Sequence, residues 1–120
     1  MKNRITAFCC ENSAHKVVES MQGDPLLKGV TIIKVPCVGR VETIQLLQEF
    51  EKGVEQVLVL GCPIDNCKHL KGNLRAVKRV AMTRKSLQDA GIDGDRLRVE
   101  MISSVDVHKL RDILKEITNE

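Results

Sequence analysis

Five cysteines are the residues of this chain whose type and spacing could do chemistry. Cys9 and Cys10 are adjacent, Cys37 stands alone, and Cys62 and Cys67 bracket a short loop. Thiolates bind zinc and iron–sulfur clusters, and in a reducing compartment clustered cysteines indicate metal or redox chemistry rather than disulfides. Any one cysteine taken alone could equally fill a core position, because free cysteine is among the most buried residue types.

The composition predicts one small soluble domain. The 120 residues, 42% of them apolar and 29% charged, fit a single core spanning 1–120. No apolar run reaches the roughly 18 residues of a membrane span, and the first ten residues lack the features of a signal peptide. We therefore expect a cytoplasmic protein.

The composition also argues against nucleic acid as a partner. The net charge is only +3, and with two Phe and no Trp or Tyr the chain has few aromatic side chains on which single-stranded bases could stack.

Strand and helix patterns alternate along the chain. Strands are predicted at residues 4–8, 30–35, 56–60 and 96–102. Helices are predicted at residues 13–22, 41–52, 73–90 and from about 103 to 118. The second and third strand patterns are continuous runs of β-branched residues and leucine, which are typical of strands buried on both faces. The sequence thus predicts an α/β fold: a small, open, mostly parallel sheet of about four strands with helices on both faces, flavodoxin-like and doubly wound.

The cysteines are placed after predicted strands. Cys9 and Cys10 come directly after the first strand, Cys37 after the second and Cys62 after the third, and Cys67 closes the loop that begins at Cys62. The carboxyl ends of parallel strands meet at one edge of a sheet, where ligands bind. None of the five lies inside a predicted strand or helix, as core-filling cysteines would. We therefore expect the thiols to converge on one site at this edge.

The adjacent pair Cys9 and Cys10 is not expected to serve one metal equally, because successive residues of an extended chain point in opposite directions. When the three strand ends are aligned, Cys10 takes the place of Cys37 and Cys62, and Cys9 falls one position earlier. This favours Cys10 as a ligand. Cys9 would then be a spare thiol, a supporting group near the ligands or a buried side chain.

The spacing of the cysteines does not decide between zinc and an iron–sulfur cluster. Zinc and iron–sulfur clusters both accept four thiolates, but structural zinc usually has two close cysteine pairs, and here only Cys62 and Cys67 form one. Their Cys-x4-Cys spacing also occurs in plant-type [2Fe–2S] sites, whose following Cys-x2-Cys is missing here. His69, two residues after Cys67, keeps a mixed site open, whereas His15 and His108 lie in predicted helices and are expected at the surface.

Positive side chains follow two of the cysteines. Cationic groups and helix N-termini lower the pKa of a thiol and offset the negative charge of a cluster. The candidates for this role are Arg40, Lys68, Lys71 and Arg75. Lys78 and Arg79, farther along the third helix, fit a solvated helix face equally well, and Gly39 and Gly72 would let backbone amides approach a cluster.

Five sequence blocks, in order, resemble one known family. They are Phe8-Cys9-Cys10; residues 35–41, with Cys37, Gly39 and Arg40; residues 57–67, with Cys62 and Cys67; residues 71–80, with Gly72, Arg75 and Arg79; and residues 91–97. Together they resemble the delta subunit of methyl-viologen-reducing hydrogenase, a family also called the hydrogenase iron–sulfur subunit. The resemblance covers nearly the whole chain.

The resemblance implies a [2Fe–2S] protein that docks on the FAD-bearing subunit of heterodisulfide reductase or a related complex. It would pass electrons between an upstream hydrogenase, formate dehydrogenase or similar oxidoreductase and the flavin, often for flavin-based electron bifurcation. All five cysteines match cysteines of the family. The polypeptide would then be a non-catalytic subunit of an oxidoreductase complex.

The chain departs from the family after the adjacent cysteines. The family commonly continues with Trp-Cys two positions on, where this chain has Glu11-Asn12-Ser13. A serine therefore stands at position 13 in place of a cysteine, and if that cysteine is a ligand, another thiol must replace it. Four strand-edge cysteine positions remain for a complete cluster site.

Two alternatives belong to other functional classes. An interaction module with structural zinc would be colourless and would hold one zinc ion per chain. A thiol enzyme, such as a sulfur or disulfide carrier that uses Cys9-Cys10 or Cys62, would hold no metal and would lose its activity on alkylation.

Overall fold

The computed structural model describes residues 4–62 and 72–118, in which strands and helices alternate. The strands are β1 (Ile5–Cys10), β2 (Val30–Val35), β3 (Gln56–Gly61) and β4 (Leu97–Met101). The helices are α1 (Ala14–Ser20), α2 (Thr43–Glu51), α3 (Gly72–Asp89) and α4 (Val107–Thr118). Short 3₁₀ segments lie in the connections at Pro25–Leu27, Val38–Arg40 and Gly94–Arg96.

The four described strands form one parallel sheet in the order β2-β1-β3-β4. The predicted α/β fold with an open parallel sheet is thereby confirmed. From β1 the chain moves to β2 on one side and then returns to form β3 on the other side, so the strand order reverses between β1 and β3. In such sheets, ligands bind outside the carboxyl ends of the strands at the reversal. The ends of β1 and β3 therefore mark the expected site.

The two faces of the sheet carry separate apolar cores. Alternate residues of a strand point to opposite faces, so Ala7 and Cys9 of β1 face one layer while Phe8 and Cys10 face the other. Helices α1 and α4 complete the first layer, and α2 and α3 complete the second. A buried leucine such as Leu110 of α4 contributes about 1.5–3 kcal/mol, so each helix is held mainly by its apolar face.

Helix α3 buries one stripe of side chains against the second layer. Ala76, Val80, Thr83 and Leu87 recur at helical spacing and are all buried. Gly91, just after the helix, has a φ of +83°, a left-handed conformation that glycine adopts without a steric penalty. The 18 residues of α3 rise about 27 Å, so its opposite side is a long strip of surface.

The first strand is longer than the sequence predicted. Cys9 pairs with Lys34 of β2 and Leu60 of β3, and Cys10 pairs with Val35. The prediction that both cysteines follow the strand is therefore wrong, and Cys9 lies in the interior of β1. Pairing with neighbours on both sides extends β1, and no local residue signal marks that extension.

The last helix begins later than predicted. Helix α4 starts at Val107 rather than near residue 103, because the Asp106 carboxylate accepts the N–H of Ser103 at 2.9 Å and closes a turn. The other predicted elements agree with the structure to within two residues at each end. None of the described helices combines the length and the apolar character that crossing a membrane would require.

Candidate metal centre

Cys10 and Cys62 lie in the same buried layer at the reversal of strand order. Cys10 is the last residue of β1 and Cys62 the first residue after β3, and both belong to one apolar cluster with Val38 and Val41. The Cys10 thiol donates a weak hydrogen bond to the carbonyl oxygen of Pro36, at an Sγ–O distance of 4.0 Å. This thiol therefore reaches the loop that follows β2.

Cys37 lies in that loop, residues 36–41, which we call the Cys37 loop. Cys37 is buried and precedes the 3₁₀ segment Val38–Arg40. Its Sγ accepts a hydrogen bond from the N–H of Gly39 at 3.4 Å. A backbone N–H that donates to sulfur favours the thiolate over the thiol, and in an iron–sulfur site it helps to set the reduction potential. The loop thus has the geometry expected of one that presents a thiolate.

Arg79 of α3 braces the Cys37 loop. Its guanidinium donates hydrogen bonds to the carbonyl oxygens of Gly39 and Val41 at 2.7 and 2.8 Å. Hydrogen bonds that involve a charged group contribute about 1.5–3 kcal/mol. The sequence pattern placed Arg79 equally well on a solvated helix face and did not reveal this contact. The available signal was its position next to Val80, on the border of the buried stripe of α3.

Cys9 lies on the opposite face of the sheet. It is fully buried in the layer of α1 and α4, and its thiol donates to the carbonyl oxygen of Ala7 at 3.7 Å. Burial first, and then the charge of neighbouring Cys10, raise the pKa of Cys9 to about 12. In the metal-free protein this thiol therefore stays protonated at neutral pH. The adjacent pair is thus divided between the two layers.

Among residues 4–62 and 72–118, no group of three or more His, Cys, Asp and Glu side chains is arranged to hold a metal ion. Four residues with predicted roles lie outside the described residues: Cys67, Lys68, His69 and Lys71. The convergence of the thiols on one site, and the roles of these four residues, therefore stay predictions. What the structure adds is the placement of Cys10, Cys62 and the Cys37 loop on one side of the sheet.

The other predicted site residues are found in two different places. Arg40 ends the 3₁₀ segment of the Cys37 loop, Arg75 lies in the first turn of α3, and both are exposed. Their predicted effect on a cluster stays a prediction. His15 and His108 lie in α1 and α4, which cover the face of the sheet opposite to Cys62.

The profile of the family described as methyl-viologen-reducing hydrogenase, delta subunit, matches residues 5–120. The chain belongs to this family. The iron-sulfur subunit of the F420-non-reducing hydrogenase vhu of Methanococcus maripaludis is 34% identical to it over 118 residues, which are 96% of this chain and 87% of the relative. The protein of the same name from Methanocaldococcus jannaschii is 30% identical over 117 residues, with 95% and 87% covered.

A third relative of this delta-subunit chain is a much larger protein. It is a subunit of the ferredoxin/F(420)H(2)-dependent CoB-CoM heterodisulfide reductase of Methanosarcina acetivorans, and it is 30% identical over 118 residues, which are 97% of this chain but 15% of that protein. In that relative, a segment similar to this chain is one part of a longer polypeptide. The names of these three relatives are thus those of hydrogenase subunits and of a heterodisulfide reductase subunit.

Ser13, at the position where the family resemblance led us to expect a cysteine, is buried. It directly precedes α1, is 3% exposed and makes no side-chain hydrogen bond to the helix end. Its Oγ has no hydrogen-bond partner in the described part of the chain. A buried hydroxyl without a partner costs about 1–3 kcal/mol. The structure therefore holds no contact, within those residues, that explains a hydroxyl at this position.

By donor type and burial, three of the described cysteines fit an iron–sulfur group held by thiolates. Cys10, Cys37 and Cys62 are buried at the carboxyl ends of three neighbouring strands, and thiolates are the donors that such clusters require. The Gly39 N–H already donates to one of these sulfurs. The apolar side chains that surround Cys10 and Cys62 would limit the access of water to the group.

Proposed function

We propose that this protein is an electron-transfer subunit that carries one [2Fe–2S] cluster on Cys10, Cys37, Cys62 and Cys67 and works in the cytoplasm. The observation that carries the proposal is the placement of Cys10 and Cys62 in one buried layer where the strand order reverses. The Cys37 loop packs into the same layer through its two valines. Family membership and the names of two relatives as iron-sulfur subunits support a cluster rather than zinc.

The choice among the five cysteines has separate grounds for each. Cys10 is preferred to Cys9 because Cys10 lies in the layer of Cys62, whereas Cys9 faces the other layer. Cys37 is chosen because its sulfur accepts the N–H of Gly39. Cys67 lies outside the described residues. It is included as a ligand because of its spacing to Cys62 and its match to a family cysteine.

The chain's own residues have simple tasks in this function. The bound cluster supplies a centre that accepts and releases single electrons. The cysteines must lose their protons to bind it, so retention of the cluster weakens at low pH. Arg79 fixes the carbonyls of the Cys37 loop, which limits how far this loop can move when the charge of the site changes.

We propose two partners, an upstream hydrogenase or similar dehydrogenase and the FAD-bearing subunit of a heterodisulfide reductase-like complex. The two relatives named as hydrogenase iron-sulfur subunits support the first. The relative that contains a similar segment within a heterodisulfide reductase polypeptide supports the second, because parts of one polypeptide work at short distance from each other. Electrons would enter from the first partner and leave to the flavin of the second.

Anaerobic purification followed by metal analysis tests the cluster. We expect about two iron and two acid-labile sulfide per chain, a visible spectrum of a [2Fe–2S] protein that bleaches on reduction, and an electron paramagnetic resonance signal of the reduced form. Colourless protein with stoichiometric zinc would replace the proposal by the structural-zinc module. Protein without metal whose activity is lost on alkylation would favour the thiol carrier.

A ligand variant sharpens this test. Cys37→Ser should abolish or strongly lower the iron content, because a serine oxygen is a poor ligand for iron in these clusters. Full iron content in Cys37→Ser would remove Cys37 from the ligand set and leave the Gly39 hydrogen bond without a role at the site.

A separate experiment tests the direction of electron flow. The chain with its cluster is reduced and mixed with the purified flavin protein, and reduction of the flavin is followed by its absorbance.

A further inference from the structure

The exposed side of α3 carries charge of one sign. Between residues 72 and 88 the chain has five Lys and Arg residues and no Asp or Glu. Arg79 is engaged with the Cys37 loop, and Arg84 forms an ion pair with Asp95 at 2.5 Å. Three cations remain with exposed side chains and form no ion pair within the described residues: Arg75, Lys78 and Lys85.

Apolar side chains lie among these cations. Leu74 and Val77 are 37% and 38% exposed, and Met82 is 69% exposed. They lie away from the buried stripe of α3, which faces the sheet. We define the α3 face as Leu74, Arg75, Val77, Lys78, Met82 and Lys85.

Helix α3 contacts both α2 and the Cys37 loop of the candidate metal centre. Ile44, in the first turn of α2, is 63% exposed. The preceding Thr43 hydroxyl bonds with the Thr83 hydroxyl of α3 at 3.1 Å, which holds the two helices side by side. Arg79 reaches the Cys37 loop from the same helix. A protein that covers the α3 face would therefore lie close to the predicted cluster.

Two of the other helices, α1 and α4, carry charge of both signs. In α1, Lys16 is followed by Glu19, and in α4, Asp112 and Glu116 alternate with Lys115. Mixed charge of this kind suits a solvated surface. The single sign of the α3 face is therefore a local feature and not a consequence of the net charge of +3.

We propose that the α3 face docks a protein partner that presents an acidic rim around an apolar patch. The inference rests on the proposed function, and the partner is the flavin-bearing protein of the heterodisulfide reductase type. Apolar contact at the centre with complementary charge around it is the usual anatomy of a protein interface. Cations beside the cluster would also steer an acidic partner into the short distance that electron transfer needs.

Two other occupants fit these residues less well. In a symmetric dimer through this face, the same patch of both copies meets itself, so Lys78 and Lys85 of one copy would oppose those of the other. Helices that lie on membranes insert a broad face of Trp, Phe or Leu, whereas the α3 face has one Leu, Leu74, and no aromatic residue. An acidic protein surface is the occupant that matches both the charge and the modest apolar area.

The test compares two charge-reversal variants. Lys78→Glu/Lys85→Glu alters the α3 face, and Lys16→Glu/Lys115→Glu makes the same change of charge at exposed positions of the other layer. Binding to the purified flavin-bearing heterodisulfide reductase protein of the same organism is measured by calorimetry at low and high salt. We expect affinity for the α3-face variant to fall at least tenfold at low salt, with the difference shrinking at high salt. The control should stay within about twofold of the original protein.

A second variant tests the apolar part of the surface. Met82→Asp, at a highly exposed position, should weaken binding while its thermal unfolding stays within a few degrees of the original. Equal affinity of the original, the Lys78→Glu/Lys85→Glu and the Met82→Asp proteins would overturn the proposal. The proposal would also be overturned if the original protein did not bind the flavin protein but bound anionic vesicles or formed dimers, and if the same variants lost that binding. The membrane or the second copy would then be the occupant of the α3 face.

The outcomes separate this inference from the proposed function. If the protein carries its cluster but does not bind the flavin protein, the docking proposal and that partner fall while the cluster stands. If the protein carries no cluster yet binds through the α3 face, the docking proposal stands and the electron-transfer function falls.

Discussion

The guanidinium of Arg79 donates a 2.7 Å hydrogen bond to the carbonyl oxygen of Gly39, 40 positions earlier in the chain. The contact joins α3, which begins five residues after Cys67, to the loop that presents Cys37. Gly39 in turn donates its N–H to the Cys37 sulfur. One side chain thus fixes the backbone that hydrogen-bonds to a predicted ligand.

Replacing this guanidinium should loosen the Cys37 loop. Both hydrogen bonds, to the carbonyls of Gly39 and Val41, come from the guanidinium nitrogen Nη1, and lysine has a shorter, flexible stem that ends in an ammonium group without this planar geometry. We expect Arg79→Lys to lower the free energy of unfolding by about 1–3 kcal/mol, measured by urea titration of the cluster-free protein. Lys85→Ala, an exposed change on the same helix, should stay within about 0.5 kcal/mol. Equal stability of Arg79→Lys and the original would show that the brace contributes nothing.

The adjacent cysteines should differ in their effect on iron content. Both side chains are buried, so Cys9→Ala and Cys10→Ala are matched in the volume that they remove. We expect Cys10→Ala to lose most of its iron, because Cys10 shares the layer of Cys62, and Cys9→Ala to keep it. Iron and sulfide analysis after anaerobic purification measures both. Loss of iron in Cys9→Ala alone would assign the ligand to the other layer.

The raised pKa of Cys9 predicts a loss of stability at alkaline pH. The unfolded thiol ionises near its ordinary pKa of 9.0, whereas the folded thiol keeps its proton up to a pKa of about 12. The thiol therefore ionises first in the unfolded state. The contribution of Cys9 to the free energy of unfolding is complete below about pH 9 and is lost between pH 9 and 12. At pH 10 the free energy of unfolding should be lower than at pH 8 by on the order of 1 kcal/mol, relative to Cys9→Ala. Urea titrations of both cluster-free proteins give this difference, and parallel pH curves would contradict it.

The hydroxyl of Ser13 should be dispensable for folding. Its Oγ is buried and has no hydrogen-bond partner among the described residues, so we expect Ser13→Ala to be neutral or to raise the free energy of unfolding by up to about 1 kcal/mol. The control is Thr6→Val, since the buried Thr6 hydroxyl donates to the Glu49 carboxylate at 2.8 Å. Thr6→Val should cost about 1–3 kcal/mol, because it leaves a buried carboxylate without that donor. Strong destabilisation by Ser13→Ala would reveal a structural contact of this hydroxyl.

The fold was largely predictable, because its signals are local. Continuous β-branched runs marked β2 and β3 within one residue at each end, and helical spacing marked α3. The end of β1 was misplaced by two residues, since pairing with Lys34 and Leu60 decides it. The start of α4 was misplaced because the Asp106 side chain closes a turn that resembles a helix start in sequence.

The sequence by itself determined that cysteines stand near the carboxyl ends of three successive strands, since strand patterns and cysteine positions are both properties of short segments. The sequence also predicted that Cys9 and Cys10 point in opposite directions, but only the tertiary structure decided which layer each one enters and that Arg79 holds the Cys37 loop. The face that a strand residue points to depends on the length of its strand and on the helices that cover it. The contact between Arg79 and Gly39, 40 positions apart, depends on how α3 packs beside the Cys37 loop. The sequence of either segment taken alone does not predict that packing.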